Sequence, residues 1–363
     1  MVLDLHEGGL ERVVVDLVRS GEVRGERSHV LCVRRAGQLA SELNPSQFTV
    51  LPRQRLSSML APIQLARAMS RLKPQIVHLH SGIWFKGAYA ARMAGLRHVV
   101  FTDHGRPHPD PFSHRVLDGL GGRMSHRVVA VSTPLASYLA SRLLIPQAVL
   151  RVIPNGIVLP QPRTLEGRQS ARLELGVPTD ALVVGTIGRL DPVKAYDYLI
   201  AAFAEVKRTS PTSVSSILIV IGDGPERARL VQLADDSGAA ESIRFCGWRN
   251  DAGRLLGLMD LFVLPSDSEG TSLSLLEAMA SGTAVVATSV GGTPDVLGDS
   301  GAGILIPPRD HDALVSAIKV LLADPIRRES MGARGRARVE ECYSFQAMAD
   351  AYHDLYTELL DRG

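Results

Sequence analysis

The sequence predicts an α/β protein built from two doubly wound lobes. Three observations lead there. Short apolar, β-branched runs alternate with amphipathic stretches along the whole chain. The alternation occurs twice, on either side of a Pro-rich connector, Leu159-Pro160-Gln161-Pro162-Arg163. The 363 residues, 45% hydrophobic and 21% charged, suffice for two cores and carry too little charge for extensive disorder. Such alternation gives parallel sheets covered by helices on both faces. Ligands bind these sheets at the strands' carboxyl ends, so two facing lobes are expected to make a cleft.

Taken in order, Val2 to Leu5 supplies only part of a first strand, as if the start were trimmed or misassigned, before a Gly8-Gly9 loop that opens a helix. Paired glycines let a ligand approach the backbone closely. The remaining first-lobe strands are expected at Val30–Val33, Phe48–Leu51, Ile76–His80, His98–Thr102 and Val128–Val131. Between them, Ile63, Ala66, Met69 and Leu72 repeat at helical spacing, with Arg67 and Arg71 on another face. Asn155-Gly156 marks a turn before the connector. Second-lobe strands are expected at Leu182–Ile187, Ile217–Ile221, Ile243–Cys246, Leu261–Leu264 and Ala284–Ala287. A last helix, Phe345 to Leu360, carries Phe345, Met348, Tyr352, Leu355, Tyr356 and Leu359 near helical spacing. The expected division is 1–160 for the first lobe, 161–340 for the second and 341–363 for the terminal helix.

No apolar run approaches the length of a membrane span, and Met1 to Glu7 lacks the form of a signal peptide. Cys32, Cys246 and Cys342 are far apart and form no metal spacing, which reads as buried thiols in a reducing cytoplasm. The formal net charge of +2 hides an asymmetry. Residues 1–160 hold 20 Lys/Arg against 10 Asp/Glu, and the rest hold 20 against 28. Part of the basic excess lies between Arg53 and Lys73, where a basic amphipathic helix could lie on an anionic membrane or simply cover the sheet.

The chemistry concentrates in the second lobe. Asp260-Leu261-Phe262-Val263-Leu264-Pro265 reads as a buried strand running into a loop with Glu269 and a helix carrying Glu277, eight residues on. That places Glu277 about two turns into the helix. First-turn N–H groups near Thr271, Ser272 and Leu273 suit a phosphate, and the carboxylates suit hydroxyls. Ser274-x-x-Glu277 also fits a capping box, but the helix should already have begun near Ser272. Upstream, Gly188 ends a strand and Arg189 and Lys194 follow, five residues apart. Alone they would pass for solvated surface cations. Beside the glutamates they form a candidate site for a departing diphosphate, stabilised without a metal. Gly222-Asp223-Gly224-Pro225-Glu226 is another strand-to-helix turn. Asp310-His311-Asp312 spells a metal–nucleotide pattern, but it precedes a helix and reads as its N-cap. His104 ends a first-lobe strand, with His108 and His114 nearby, and His78 and His80 sit two apart on another strand.

The E-x7-E pattern followed by Ala278-Met279-Ala280-Ser281-Gly282, together with R-x4-K, resembles the donor-site signature of the retaining glycosyltransferase family 4, which has the GT-B fold. The resemblance covers almost the whole chain. It implies two Rossmann-like lobes, with the terminal helix crossing back to the first. It implies transfer of a hexose from a nucleotide diphosphate sugar to an acceptor hydroxyl, in glycan synthesis. It implies that Arg189 and Lys194 bind the diphosphate, that Glu269 bonds the transferred sugar and that Glu277 holds the ribose. His104 is implied to reach the donor sugar, Gly222 and Gly224 to line the donor pocket, and Gly8 and Gly9 to lie near acceptor and diphosphate. No cofactor or metal is implied. The expected partners are the donor and a saccharide or lipid-linked acceptor, not nucleic acid, in the cytoplasm or peripherally at the membrane. Two departures stand out: Ala195 where glycine is usual, and Thr271-Ser272 where Phe-Gly is common. A nucleotide-sugar 2-epimerase of the same fold and a non-catalytic sugar-nucleotide-binding protein are the rival readings.

Overall fold

The computed structural model describes residues 1–6, 8–51, 62–106, 110–160, 164–209 and 215–361. Arg53 and Arg55 of the basic segment, His108, and Gln161-Pro162-Arg163 of the connector lie outside the described residues. The chain forms two compact units, Met1–Gly156 with Gln346–Gly363, and Ile157–Phe345. The chain thus passes between them at Gly156–Ile157 and Phe345–Gln346, a few residues from the positions read off the sequence. Ile157 belongs to the second unit because its N–H donates to Tyr343 O at 3.0 Å and its carbonyl accepts from Phe345 N at 2.8 Å.

The first unit contains strands β1 (Val30–Cys32), β2 (Phe48–Val50), β3 (Ile76–His80), β4 (His98–Asp103), β5 (Arg127–Ala130) and β6 (Leu150–Val152). β1 and β2 pair in parallel, and β3-β4-β5-β6 form a second parallel sheet. Met1 and Val2 lie between the two: the Met1 carbonyl accepts from His80 N at 3.1 Å, while Val2 bridges Cys32. The expected strand at Val2–Leu5 is therefore only this short connection. Alternate residues of β3, β4 and β5 (Val77, Leu79, Val99, Phe101, Val128 and Ala130) fill one core together with the Ile63–Leu72 and Trp84–Met93 helices.

The Ile63–Leu72 helix differs from expectation. It buries Leu65, Ala66 and Met69, while Ile63 and Leu72 are 45% and 41% exposed. Ala66 and Met69 are buried as expected, but Leu65 completes the buried face in place of Ile63 and Leu72, because positions i, i+1 and i+4 span a narrower arc of a helix than four residues spaced by three. Thiol burial also differs. Only Cys32 is buried, Cys246 is partly exposed and Cys342 lies on the surface; all three are free.

The second unit holds β7 (Leu182–Ile187), β8 (Ser216–Ile221), β9 (Ile243–Gly247), β10 (Leu261–Leu264), β11 (Ala284–Thr288) and β12 (Ile304–Ile306), in the order β12-β11-β10-β7-β8-β9. All neighbours are parallel. Its strands are apolar on both faces: Val184, Leu218, Val220, Val263 and Val286 enter one core, Val183, Ile219, Ile221, Phe262 and Val285 the other. The strand order reverses between β7 and β10, so their carboxyl ends form the switch-point crevice. β6 and β12, each three residues at a sheet edge, were not evident in the sequence.

The final helix, Phe345–Asp361, packs onto the first unit through Met348, Ala349, Tyr352, Leu355 and Leu359. Polar contacts fix its register. The Tyr352 and Thr102 hydroxyls are 3.0 Å apart, Tyr356 Oη is 2.6 Å from His78 Nδ1, and Arg127 donates to Glu358 at 2.6 Å. Burial raises both tyrosine hydroxyls above their ordinary range, so they serve as neutral hydrogen-bonding groups. Removing only the hydroxyl, as in Tyr352→Phe, should cost about 1 kcal/mol. Tyr352→Ala should cost about 3–5 kcal/mol through the cavity it leaves. Denaturant unfolding of the two variants checks the difference.

Candidate active site

The sequence motifs of the second unit converge on the β7–β10 switch point. β7 ends at Ile187, and Gly188 N continues the ladder to Ile221 O at 3.0 Å. A 3₁₀ turn, Pro192–Lys194, then presents Lys194. Its ammonium donates to Glu269 Oε1 at 2.6 Å, and Ser266 Oγ donates to the same oxygen at 2.6 Å. Lys194 and Glu269 are 75 residues apart in sequence. Asp267 N also donates to Val193 O at 2.8 Å, which ties the loop after β10 to the loop after β7. Arg189 is 73% exposed and pairs with its neighbour Asp191.

The Leu273–Ala280 helix begins where expected. Ser272 is the N-cap, and its hydroxyl accepts from Leu275 N. The N–H groups of Leu273 and Ser274 belong to the first turn, which a helix cannot satisfy internally. Thr271 and Ser272 are buried. Glu277 is the fifth helical residue, hence in the second turn and nearer the N-terminus than the two turns expected. Ser272, not Ser274, caps this helix, so Glu277 has no capping-box role.

Gly222 and Gly224 have a definite structural part. A Cβ on Gly222 would lie 1.9 Å from Gly188 O, and its φ is +137°. A Cβ on Gly224 would lie 2.5 Å from Leu190 O. The loop after β8 therefore packs backbone against backbone on the loop after β7, reinforced by Leu190 N to Asp223 O at 2.9 Å and Glu226 N to Leu190 O at 3.0 Å. Gly291 does the same for the loop after β10. Its φ is +51°, and a Cβ there would meet Glu269 O at 1.7 Å. Sequence reasoning missed Gly291 and Ser266. The Gly291-Gly292 pair just beyond a strand was the available signal. Ala195 has φ +51° and ψ +38°, the left-handed geometry that explains why glycine is usual there.

In the first unit Gly8 is extended and precedes the Gly9–Val23 helix, with both glycines on the surface. Arg12 is held by Asp16 and Glu42. His104 follows β4. Its backbone N donates to Ser81 Oγ at 3.0 Å and its Nε2 lies 3.0 Å from His80 Nδ1. Burial pushes its imidazole down to about 4. The next turn is pinned by Arg106, which donates to Asp103 at 2.7 Å and Asp118 at 2.7 Å. His78 is engaged by Tyr356 and by Thr102, at 2.8 Å. His114 is exposed on the Phe112–Arg123 helix. Among the described residues no group of three His, Cys, Asp or Glu could hold a metal. Asp310 caps the His311–Ala323 helix, accepting from Ala313 N at 3.0 Å, as the sequence implied.

A doubly wound lobe with a cation and a carboxylate meeting at its switch point suits a polar, anionic ligand, and similarity to known proteins gives the family. Residues 167–338 match the family described as Glycosyl transferases group 1, and residues 7–160 match Glycosyltransferase Family 4. The chain belongs to glycosyltransferase family 4 and has the GT-B fold. It is 32% identical over 282 residues to the D-inositol 3-phosphate glycosyltransferase of Streptomyces avermitilis, a match covering 73% of this chain and 58% of that protein. It is 34% identical over 193 residues to the lipopolysaccharide core biosynthesis glycosyltransferase LpsD of Rhizobium meliloti, covering 53% of each. The matched region thus spans little more than half the length of these curated relatives. In fold it resembles Anabaena HepE in complex with UDP and glucose, at a TM-score of 0.85 and 22% identity over 98% of both chains.

Gly222→Ala should lose about 2–5 kcal/mol of stability from strain and overpacking combined. Ala195→Gly should gain about 0.5–1 kcal/mol by relieving a left-handed backbone, less the extra freedom of the unfolded chain. Thermal melts of both variants test these opposite signs.

Proposed function

We propose that this chain is a retaining, metal-independent hexosyltransferase that moves a sugar from a nucleoside diphosphate sugar to an acceptor hydroxyl in glycan synthesis. The observation that carries this reading is the meeting of Lys194 and Glu269, from the loops after β7 and β10, at the switch point. An ammonium has three donors, so one bond to Glu269 leaves two for phosphate oxygens. Arg189 and the helix N-terminus add positive potential where charge develops as the diphosphate leaves. On this reading Glu269 accepts hydrogen bonds from hydroxyls of the transferred sugar, and Glu277 from those of the ribose. The bond from the anomeric carbon to the diphosphate breaks with its electron pair on the leaving oxygen. The acceptor oxygen bonds to the same face of that carbon, and its proton passes to the diphosphate. The UDP named for HepE makes UDP-sugars the first donors to test. The names of the curated relatives point to phosphorylated polyols and lipopolysaccharide core sugars as acceptors.

A thermal-shift screen of nucleotide sugars tests donor binding, since the true donor stabilises the protein by mass action. Turnover without any acceptor would favour an epimerase, and no donor chemistry at all a binding protein. With donor and acceptor in hand, Arg189→Ala and Lys194→Ala should each lose about 2–4 kcal/mol in kcat/KM. Glu277→Gln should chiefly weaken donor binding, and Glu269→Gln should chiefly lower kcat. Activity should persist in excess EDTA; loss restored by Mg²⁺ or Mn²⁺ would overturn the metal-free mechanism.

The exposed Ile63 and Leu72, beside Arg67 and Arg71, support peripheral binding of the Ile63–Leu72 helix to an anionic membrane that carries a lipid-linked acceptor. No described helix is long and apolar enough to cross a membrane. Co-sedimentation with anionic but not neutral vesicles at low salt is the expected result. No binding to anionic vesicles would remove the membrane contact and leave the transferase reading intact.

A further inference from the structure

Three imidazoles cluster at the carboxyl ends of β3 and β4: His78, His80 and His104. The ring centroids of His78 and His80 are 4.2 Å apart, and those of His80 and His104 are 5.3 Å apart and stacked. His78 has both nitrogens occupied, by Tyr356 Oη and Thr102 Oγ1. His104 does not. Its Nε2 meets His80 Nδ1 at 3.0 Å, while its Nδ1 is buried with no hydrogen-bond partner among the described residues. A buried polar atom left unpaired costs about 1–3 kcal/mol, so it calls for a ligand group.

The geometry points to His80 as the positioning residue that fixes the ring and tautomer of His104, the histidine that the family resemblance already assigns to a substrate hydroxyl. Two neutral rings share one proton across the 3.0 Å contact. Burial depresses both, His80 well below its ordinary value, so neither ring carries a second proton near neutrality. If His80 Nδ1 donates, His104 Nε2 accepts and the proton of His104 sits on Nδ1. If His104 Nε2 donates, its Nδ1 is a lone pair. Either way His80 determines what His104 offers, as the partner of one ring nitrogen sets the state of the other. A saccharide hydroxyl is both donor and acceptor and so fits either state. The His104 N–H bond to Ser81 Oγ holds the backbone, leaving the ring orientation to His80. His80 is 3% exposed and follows Leu79 on β3, so the sheet rather than a loop sets its place.

This inference rests on the transferase reading only for the identity of the hydroxyl. Two variants separate a positioning role from a packing one. Asparagine places an amide near the position of Nδ1, whereas leucine removes the polar group and keeps the bulk. The ring ¹⁵N resonances of His104, read on the ligand-free protein at neutral pH, should report one neutral tautomer in the wild type. They should show mixed tautomers in His80→Leu and return toward a single tautomer in His80→Asn. Adding a UDP-sugar should move Nδ1 more than Nε2. In turnover assays His80→Leu should lower kcat/KM about 10–100-fold, the range in which partners of a functional imidazole act. His80→Asn should recover most of that loss. The same leucine substitution in a His104→Ala background should cost nothing more. Unchanged His104 resonances in a folded His80→Leu variant would overturn the proposal, as would full additivity of the two substitutions. A protein that turns over no donor but shows the tautomer change would sink the transferase reading and keep the His80–His104 assignment.

Discussion

The loops around the β7–β10 crevice are held by backbone segments touching where side chains would not fit. Gly222 rests on Gly188, Gly224 on Leu190, and Gly291 on Glu269. Each contact joins loops that leave neighbouring strands of one parallel sheet. A sheet fixes the spacing of its strands but not of the loops beyond them. Close glycine contacts extend that order past the strand ends. They brace the loop bearing Lys194 from one side and the loop bearing Glu269 from the other, and Asp267 N to Val193 O at 2.8 Å joins the two, with Lys194 Nζ and Glu269 Oε1 2.6 Å apart. Charged groups fixed in this way need little reorganisation to act on a ligand.

The first unit solves a related problem by a different route. Its histidines sit on strand ends, and their ordering comes from side chains. The helix Phe345–Asp361 supplies Tyr352 and Tyr356, which engage Thr102 and His78, and the His78 ring in turn lies against that of His80, tilted by 31°. Buried polar groups of this sort are stable only when nearly all are paired. The network meets that demand until His104 Nδ1, where it stops.

Much of this architecture was legible in the sequence because it follows from burial. β7 and β10 matched their apolar runs residue for residue, since strands apolar on both faces leave a continuous hydrophobic signature. The three-residue edge strands β6 and β12 carried no such signal. The Ile63–Leu72 helix shows the limit of periodicity: Ala66 and Met69 lie on the buried face as their spacing implied, but Leu65 rather than Ile63 or Leu72 completes it, on the side that packs in one core with the Trp84–Met93 helix. The cation and carboxylate motifs could be singled out because each is local in spacing; the meeting of Lys194 with Glu269, 75 residues apart, could not be read that way. Nor could the glycines. Gly222 and Gly224 looked like ligand-lining residues, and Gly291 drew no attention. What each excludes is a backbone atom of a distant loop, and that partner is invisible in a local pattern.

The covalent path has a consequence for synthesis. The second unit is one uninterrupted stretch, Ile157–Phe345, and its two ends are zipped together by the Ile157–Ser344 bridge. The first unit is split, with its last helix encoded after the whole of the second. On the ribosome the second unit can therefore close while the first still lacks Tyr352 and Tyr356, and domains generally fold as units when their residues emerge. Until that helix arrives, Thr102 and His78 have no tyrosine partners and the sheet face it covers is bare. The order in which the chain is made thus leaves the half containing the histidine cluster waiting longest for its final piece.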